Sequence, residues 1–537
     1  MKKLLSLFFA LSFSAAATAQ DTTYVNYVNV PVVLEQDVNP TVDFRLQCSS
    51  TNSVLQEIVV DIEPVQYIEA VELYYTGGSS MFRSHSSACA MEEQFQHYGG
   101  GQQIYRHPAY ASLCSKASKV STQMTLKVNR PLRQGDNYFY LSLRLAKNAP
   151  LNWQASISVA KTVISGSAVP VVQSGNTKYR AAVAVRNSGQ DGVHSYRIPG
   201  LVTSKTGTLM AVYDIRRQTS YDLQDDIQVG LSRSKDGGRT WLPMQTIIDM
   251  RGTDGLLDSQ NGVGDPSILM DEATGDILGI GMWTQIPGGR AWWGVKQGKD
   301  VKQGAAQVVI TRSQDDGKTW SRPEVISDNY KQDSWYIHLQ GPGRGITMKD
   351  GTLVFPYQFV DSARMPHATI IWSKDHGHTW QVGTAARSNT TEAQVVEITP
   401  GELMLNMRDN RGGWRAVSTT KDLGQTWSEH PSSRKALIEP VCMASLLNVP
   451  ASQNGLGRDV LLFSNPNNSK TRSHISIKAS LDGGATWSDD HTILLDQELT
   501  WGYSCLTMID KNTIGILYEG SRAQMTFQAI PLKDIIQ

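Results

Sequence analysis

Cysteine is scarce in this 537-residue chain, five in all, and none sits in a Cys-x-x-Cys pair or beside a histidine cluster. That spacing excludes the usual zinc ligand sets, and neither a metal nor another cofactor is expected. A surplus of either charge is also missing, because 50 Lys plus Arg balance 50 Asp plus Glu. No global field then draws the protein to nucleic acid or to anionic lipid, so any basic site must be a local cluster. Beyond residue 20 no apolar run reaches the ~20 residues that a spanning helix needs, so membrane insertion is not expected. What the chain has in quantity is glycine, 45 residues, and tryptophan, 13. That composition favours a turn-rich β protein stapled by large rings. At ~100–200 residues per domain the length allows about three units, or one small and one large. Oligomeric state is not legible.

The first 19 residues read as an export signal: Lys2-Lys3, an apolar run from Leu4 to Phe13, then Ala17-Thr18-Ala19 before Gln20. The run is too short for an anchor and ends in an A-x-A cleavage pattern. No cysteine follows to take a lipid, so the mature protein is expected to be exported, periplasmic or secreted. The cysteines are Cys48, Cys89, Cys114, Cys442 and Cys505. Their odd number leaves at least one thiol free, and whether Cys89 pairs with Cys114 stays open.

Five segments share S/T-x-D-x-G-x-T-W: Ser234 to Trp241, Ser313 to Trp320, Ser373 to Trp380, Thr420 to Trp427 and Ser480 to Trp487. Each is a hairpin signal. Asp bonds its own backbone, Gly supplies positive φ, Thr leads into a strand, and Trp wedges between sheets. The five aspartates are read as structural, since one hairpin offers too few ligands for a metal. Trp-to-Trp spacings of 79, 60, 47 and 60 describe a β-propeller repeat. Residues 181–537, taken at one repeat per 60 residues, give about six blades. The long first interval holds an insertion, Trp283 to Gln303, with Trp292-Trp293. Residues 20–180 lack the octapeptide but alternate, as in Thr125-Leu-Lys-Val-Asn, and read as a separable β-sandwich. The stretch Gly166 to Lys178 reads as a linker. The expected fold is all-β, a six-bladed β-propeller preceded by a smaller β-sandwich-like domain.

Five such octapeptides together with Tyr196-Arg197-Ile198-Pro199 resemble the bacterial exo-sialidases (neuraminidases) over residues 181–537. The family's motif opens with Phe, and Tyr196 takes that place here. The resemblance implies an arginine triad at Arg197, Arg408 in Asn406-Met-Arg408-Asp409, and Arg472 after Asn465-Pro466. It implies a nucleophile at Tyr503 with Glu392 as its glutamate, an acid/base at Asp222, and Glu519 as the residue orienting Arg197. Arg216 and Asp265 resemble residues at the rim and N-acetyl side of the pocket.

The chemistry is coherent without the family. Guanidinium groups bind a carboxylate through paired, charge-assisted hydrogen bonds, so three arginines select an anionic sugar such as sialic acid. A carboxylate nucleophile would be repelled by that anion. A neutral phenol is not, although it needs a base to ionise from ~10, and Glu392 can serve. Nearby arginines should also favour the phenolate. Sialidases are a known tyrosine-nucleophile exception among glycosidases, and the covalent route implies retention. The expected partners are sialylated glycans. A sialic-acid-binding lectin without turnover would lack the Tyr, Glu and Asp set, whereas a trans-sialidase would share every residue. Trp292, Trp293 and Trp335 are weighed as sugar-stacking rings against the alternative of blade staples.

Overall fold

The computed structural model describes residues 20–82, 111–175, 177–286 and 291–536. The export signal expected at 1–19 lies outside them, as does Cys89. Two sheets form the N-terminal unit. One runs in the order Val171–Ser174, Thr22–Tyr27, Pro40–Cys48, Gly135–Leu145, Ile68–Gly77, Ser112–Ala117. The other runs Lys178–Arg186, Gln154–Ile164, Val54–Glu63, Gln123–Pro131. Strict alternation sets their faces: Met124, Leu126 and Val128 point inward while Gln123, Thr125 and Lys127 face water. Val42, Phe44 and Leu46 of the first sheet meet Ile58, Val60, Leu126 and Ile157 of the second in one core, which makes a β-sandwich.

Six blades follow, each built around four strands, with short extra strands added in blades II and III. Blade I begins with Ser195–Thr203 and Leu209–Arg216, blade II with Val263–Met270 and Ile277–Thr284, and blade III with His338–Gln340 and Leu353–Val360. Blade IV begins with Thr390–Thr399 and Glu402–Asp409, blade V with Ser445–Val449 and Val460–Pro466, and blade VI with Ser504–Asp510 and Thr513–Tyr518. First strands of neighbouring blades pack together, except that Thr390–Thr399 of blade IV packs on Leu353–Val360 of blade III, and blade VI returns to blade I. A separate apolar cluster fills every gap between adjacent blades. No sheet closes on itself, and the architecture is an all-β six-bladed propeller with an N-terminal sandwich. Among the described residues no helix is long and apolar enough to cross a membrane.

The octapeptides are the turns between third and fourth strands. In the first, Ser234 Oγ accepts the Gly238 N–H at 2.9 Å and donates to Asp236 Oδ1 at 2.8 Å. Asp236 accepts the Thr240 N–H at 2.9 Å and the Thr240 hydroxyl at 2.6 Å. The same bonds recur at Asp315, Asp375, Asp422 and Asp482. At Asp315 the Thr319 N–H and hydroxyl hold the carboxyl down at about 2. Gly238 has φ +93°, and a Cβ there would lie 2.0 Å from the Phe527 ring, so a side chain is excluded on two grounds. Trp241 meets that ring edge-on at 5.3 Å, stapling blade I to blade VI.

Blade VI has no octapeptide because its fourth strand is Lys178–Arg186, which precedes the other three in the chain. No hairpin joins its third and fourth strands, so no turn motif is required. This strand also corrects the reading of the domain junction. Lys178, Tyr179 and Arg180 pair with the sandwich strand Gln154–Ile164, while Val183 and Ala184 pair with Met525–Pro531 of the propeller. The expected boundary at 180/181 thus falls inside one continuous strand. The stretch read as a linker also carries structure. Ser167–Val169 folds back on Gln154–Ile164 about Ser165 and Gly166, and Val171–Ser174 pairs parallel with Thr22–Tyr27.

Candidate active site

First strands begin, and second strands end, at the same end of the ring. Arg197, Asp265 and Glu392 are each third in a first strand, and Tyr503 immediately precedes one. Arg216 ends a second strand, Arg408 sits one residue before such an end, and Glu519 lies one residue beyond. Residues from distant parts of the sequence therefore meet over the axis, away from the octapeptide turns. Bulges aim them. The ladder slips between Arg197 and Gly200, between Gly264 and Ser267, and between Thr390 and Ala393. Ile198 and Asp265 take φ of +61° and +56°. For a β-branched residue such as Ile198 this is strained, at about 1–3 kcal/mol, and must be held by its surroundings.

Glu519 does the holding. Its carboxylate accepts Arg197 Nε at 3.0 Å and Nη2 at 3.4 Å, the Ile198 N–H at 3.1 Å and the Tyr503 N–H at 3.0 Å. Both Arg197 and Glu519 are buried, so the pair stands on excellent geometry or not at all. The Arg197 guanidinium also lies 4.5 Å over the Trp501 ring. Arg197 and Arg472 place their guanidinium carbons 5.5 and 5.7 Å from the Tyr503 ring centroid. Arg408 Nη1 lies 3.2 Å from the Tyr503 hydroxyl and 2.7 Å from Glu392 Oε2. Arg472 is fastened by Nη1 to Trp501 O and by Nη2 to Val441 O, both at 3.1 Å. Three guanidiniums thus surround one phenol.

The Tyr503 hydroxyl donates a short hydrogen bond to Glu392 Oε1. Burial, reinforced by the Glu392 charge, raises the phenol well above its ordinary value, and Arg408 and Arg472 only partly offset this. The arginines do favour the phenolate, as expected, but burial and the Glu392 charge outweigh them, and Tyr503 rests as a neutral phenol. Asp222 has a side chain 69 % exposed, with Oδ1 2.8 Å from Arg216 Nη1 and 3.7 Å from Arg197 Nη1. The surrounding protein displaces part of its water and so opposes ionisation, but Arg216 and Arg197 prevail and hold it at about 2.

Arg216 lies below, gripped by Asp214 through Nε at 3.0 Å and Nη2 at 2.8 Å. Asp214 Oδ1 also accepts the Asp265 N–H at 3.0 Å. Burial pushes Asp214 up to about 6 against the pull of Arg216. Burial, together with the charges of Asp214 and Asp222, raises Asp265 well above the carboxylate range. The nine candidate site residues, Arg197, Arg216, Asp222, Asp265, Glu392, Arg408, Arg472, Tyr503 and Glu519, therefore lie at this one end. Asp214 and Trp501 were missed, although each has a sequence signal: Asp214 stands two positions before Arg216 on the same strand face, and Trp501 two before Tyr503. The buried Arg415–Glu439 pair, 2.8 Å apart, was also missed and braces the Arg408 strand end through Asn406 and the Asp409 N–H.

Of the tryptophans, Trp335 is a staple, buried and stacked on Phe359 at 4.0 Å. Trp293 is 73 % exposed on the short helix Ala291–Gly294, whose Ala291 N–H donates to Leu223 O at 2.7 Å beside Asp222. Residues 287–290 of that insertion lie outside the described set. Among the described residues no group of three or more His, Cys, Asp or Glu is placed to hold a metal ion.

A propeller whose axial end gathers three guanidiniums around a phenol–carboxylate pair is the architecture of a glycoside hydrolase that takes an acidic sugar. Comparison with known proteins agrees. Residues 207–516 match the BNR repeat-like domain, and residues 20–168 match the N-terminal domain of BNR-repeat neuraminidase. A sialidase of Bacteroides fragilis is 47 % identical over the whole of both chains. A sialidase of Micromonospora viridifaciens is 31 % identical over 69 % of this chain and 57 % of its own. The solved structure of the Hadza microbial sialidase Hz136 superposes with a TM-score of 0.89 at 46 % identity, covering 96 % of this chain and all of that one. The chain belongs to the BNR-repeat neuraminidase family and is a glycoside hydrolase.

Proposed function

We propose that this protein is an exported exo-α-sialidase that releases terminal α-linked sialic acid from glycoproteins, glycolipids and oligosaccharides with retention of configuration. The observation that carries the reading is the Tyr503 hydroxyl bonded to Glu392 within a ring of three arginines. Arg197, Arg408 and Arg472 bind the substrate carboxylate and so set the anomeric carbon above the phenol oxygen. Glu392 takes the Tyr503 proton as the oxygen attacks, and the glycosidic bond breaks. Asp222 supplies the proton to the leaving oxygen. It is ionised while Arg216 and Arg197 hold it, but a bound substrate carboxylate offsets Arg197 and so raises Asp222 toward the protonated form. In the second half, Asp222 takes a proton from water, water attacks the anomeric carbon, and Tyr503 recovers its proton from Glu392. Arg216 and Asp265 line the side of the pocket that faces the rest of the sugar.

Incubation with a fluorinated sialoside, followed by peptide mapping, tests this directly. The label is expected on Tyr503, with free sialic acid as the product released from 2,3- or 2,6-linked substrates and nothing released from neutral glycosides. A label on Asp222 or Glu392, or release of a neutral sugar, would refute the mechanism.

A further inference from the structure

Two loops carry the group assigned above as nucleophile and the group that holds Arg197. One runs from Asp496 to Tyr503, and the other is the turn from Glu519 to Arg522. Asp496 is fully buried and ties them together, its two oxygens accepting the Ser521 hydroxyl and N–H, each at 2.8 Å. Each loop is also fastened to the N-terminal sandwich. The Gln497 N–H donates to Asn29 O at 2.7 Å, the Asn29 N–H donates back to Gln497 Oε1 at 3.2 Å, and Asn29 Nδ2 reaches Leu494 O at 3.1 Å. On the second loop, Arg522 Nη2 donates to Pro40 O at 3.4 Å, and Gln36 Nε2 donates to Arg522 O at 3.3 Å. The Arg522 guanidinium carbon lies 5.5 Å from the Phe82 ring. Past Gln497 the first loop is carried straight to the site. The Thr500 N–H donates to Arg472 O at 2.8 Å, Trp501 O accepts Arg472 Nη1, and the Tyr503 N–H is received by Glu519.

We propose that the sandwich is a splint for the reaction centre, with Asn29 and Gln36 as positioning residues that act through Gln497 and Arg522 on Tyr503 and Glu519. The inference rests on Tyr503 being the nucleophile. Its physical basis is that residues 497–503 and 519–522 lie outside the blade ladders, so sheet pairing does not fix their backbone and the bonds from the sandwich help to. A displacement of about 1 Å at a reacting atom can cost on the order of 100-fold in rate. Fastening from the sandwich therefore bears on the covalent step through Tyr503 and, less directly, on Arg197 and Arg472, which Glu519 and Trp501 hold, while Arg408 stands on a blade strand of its own.

Full-length Asn29→Ala, Gln497→Ala and the double variant test it, with turnover, labelling rate by a fluorinated sialoside, and affinity for an unreactive dehydro analogue of sialic acid. Turnover and labelling rate are expected to fall together by about tenfold in each single variant. Analogue affinity should fall by much less than the labelling rate, since Arg408 is held on its blade strand, and the double variant should be no worse than either single. Gln36→Ala, which removes only the bond to Arg522 O, carries the same expectation and serves if Asn29→Ala does not fold. Unchanged labelling rates, losses shared equally with analogue affinity, or additive losses in the double variant would overturn the inference. A label absent from Tyr503 in the unaltered protein would instead bring down the mechanism itself.

Discussion

Arg408 serves two partners with one nitrogen, Nη1 lying 2.7 Å from Glu392 and 3.2 Å from the Tyr503 hydroxyl. Arg408→Leu removes a group proposed to bind the substrate carboxylate and also strips Glu392 of its counter-charge, which pushes Tyr503 further from ionisation. Charge-assisted bonds are worth about 1.5–3 kcal/mol each, so kcat/KM should fall by at least two orders of magnitude, through both KM and kcat. Near-normal kinetics in a folded variant would remove Arg408 from the site. Asp222 gives a different signature because the task proposed for it is at the leaving group. The carboxyl is held at about 2, opposed by the partial loss of its water and lowered chiefly by Arg216. Turnover must therefore fall as pH rises through the higher value reached in the complex. Asp222→Asn should flatten that alkaline limb and slow oligosaccharides far more than aryl sialosides, whose leaving groups need little protonation. Equal losses on both substrates would argue against an acid role.

The hairpin octapeptide is the element that makes the blades, and its aspartate works by hydrogen bonding. Asp375 takes the Ser373 hydroxyl at 2.7 Å, the Thr379 N–H at 2.8 Å and the Thr379 hydroxyl at 2.6 Å. Asp375→Ala should cost about 1–2 kcal/mol in chemical denaturation while leaving kcat unchanged at temperatures where the variant is folded. Chelator treatment of the unaltered protein should change neither quantity. A loss of activity restored by calcium would mean that these turns, or another site, hold an ion. The same element explains a mismatch in counting. Five octapeptides build six blades because the sixth is assembled from both ends of the propeller sequence and needs no closing hairpin.

The molecule as a whole is joined more tightly than its domain pattern suggests, since one strand belongs to both units and Tyr179 and Ala181 lie in the sandwich core. Across the junction Asp43 faces Glu498. Burial raises Asp43 to about 7; the Ser80 bond opposes this and the Glu498 charge adds to it. An unfolded Asp titrates near ~3.9. Between those values the folded chain holds a proton that the unfolded chain lacks, so stability falls as pH rises from about 4 to about 7. Asp43→Asn removes this proton and keeps an acceptor for Ser80. The variant should be more stable than the unaltered protein at pH 8, by on the order of 3 kcal/mol, with the gap closing near pH 4. Parallel stability curves across that range would show that Asp43 is not the titrating group.

The sequence alone determined what is local or repeated: the hairpin turns, the blade period, the alternation of the sandwich strands, and the residue types able to grip an acidic sugar. These follow from short-range backbone chemistry and from motifs that stand intact in the chain. The tertiary structure decided what depends on distant segments meeting. It took the strand Lys178–Arg186 into two sheets, because a ring needs its last blade completed and the chain's early strand was at hand. It set Asp214 under both Arg216 and Asp265, and it left Tyr503 a neutral phenol. Burial and the distances between charges fix a protonation state, and neither is written in the order of residues.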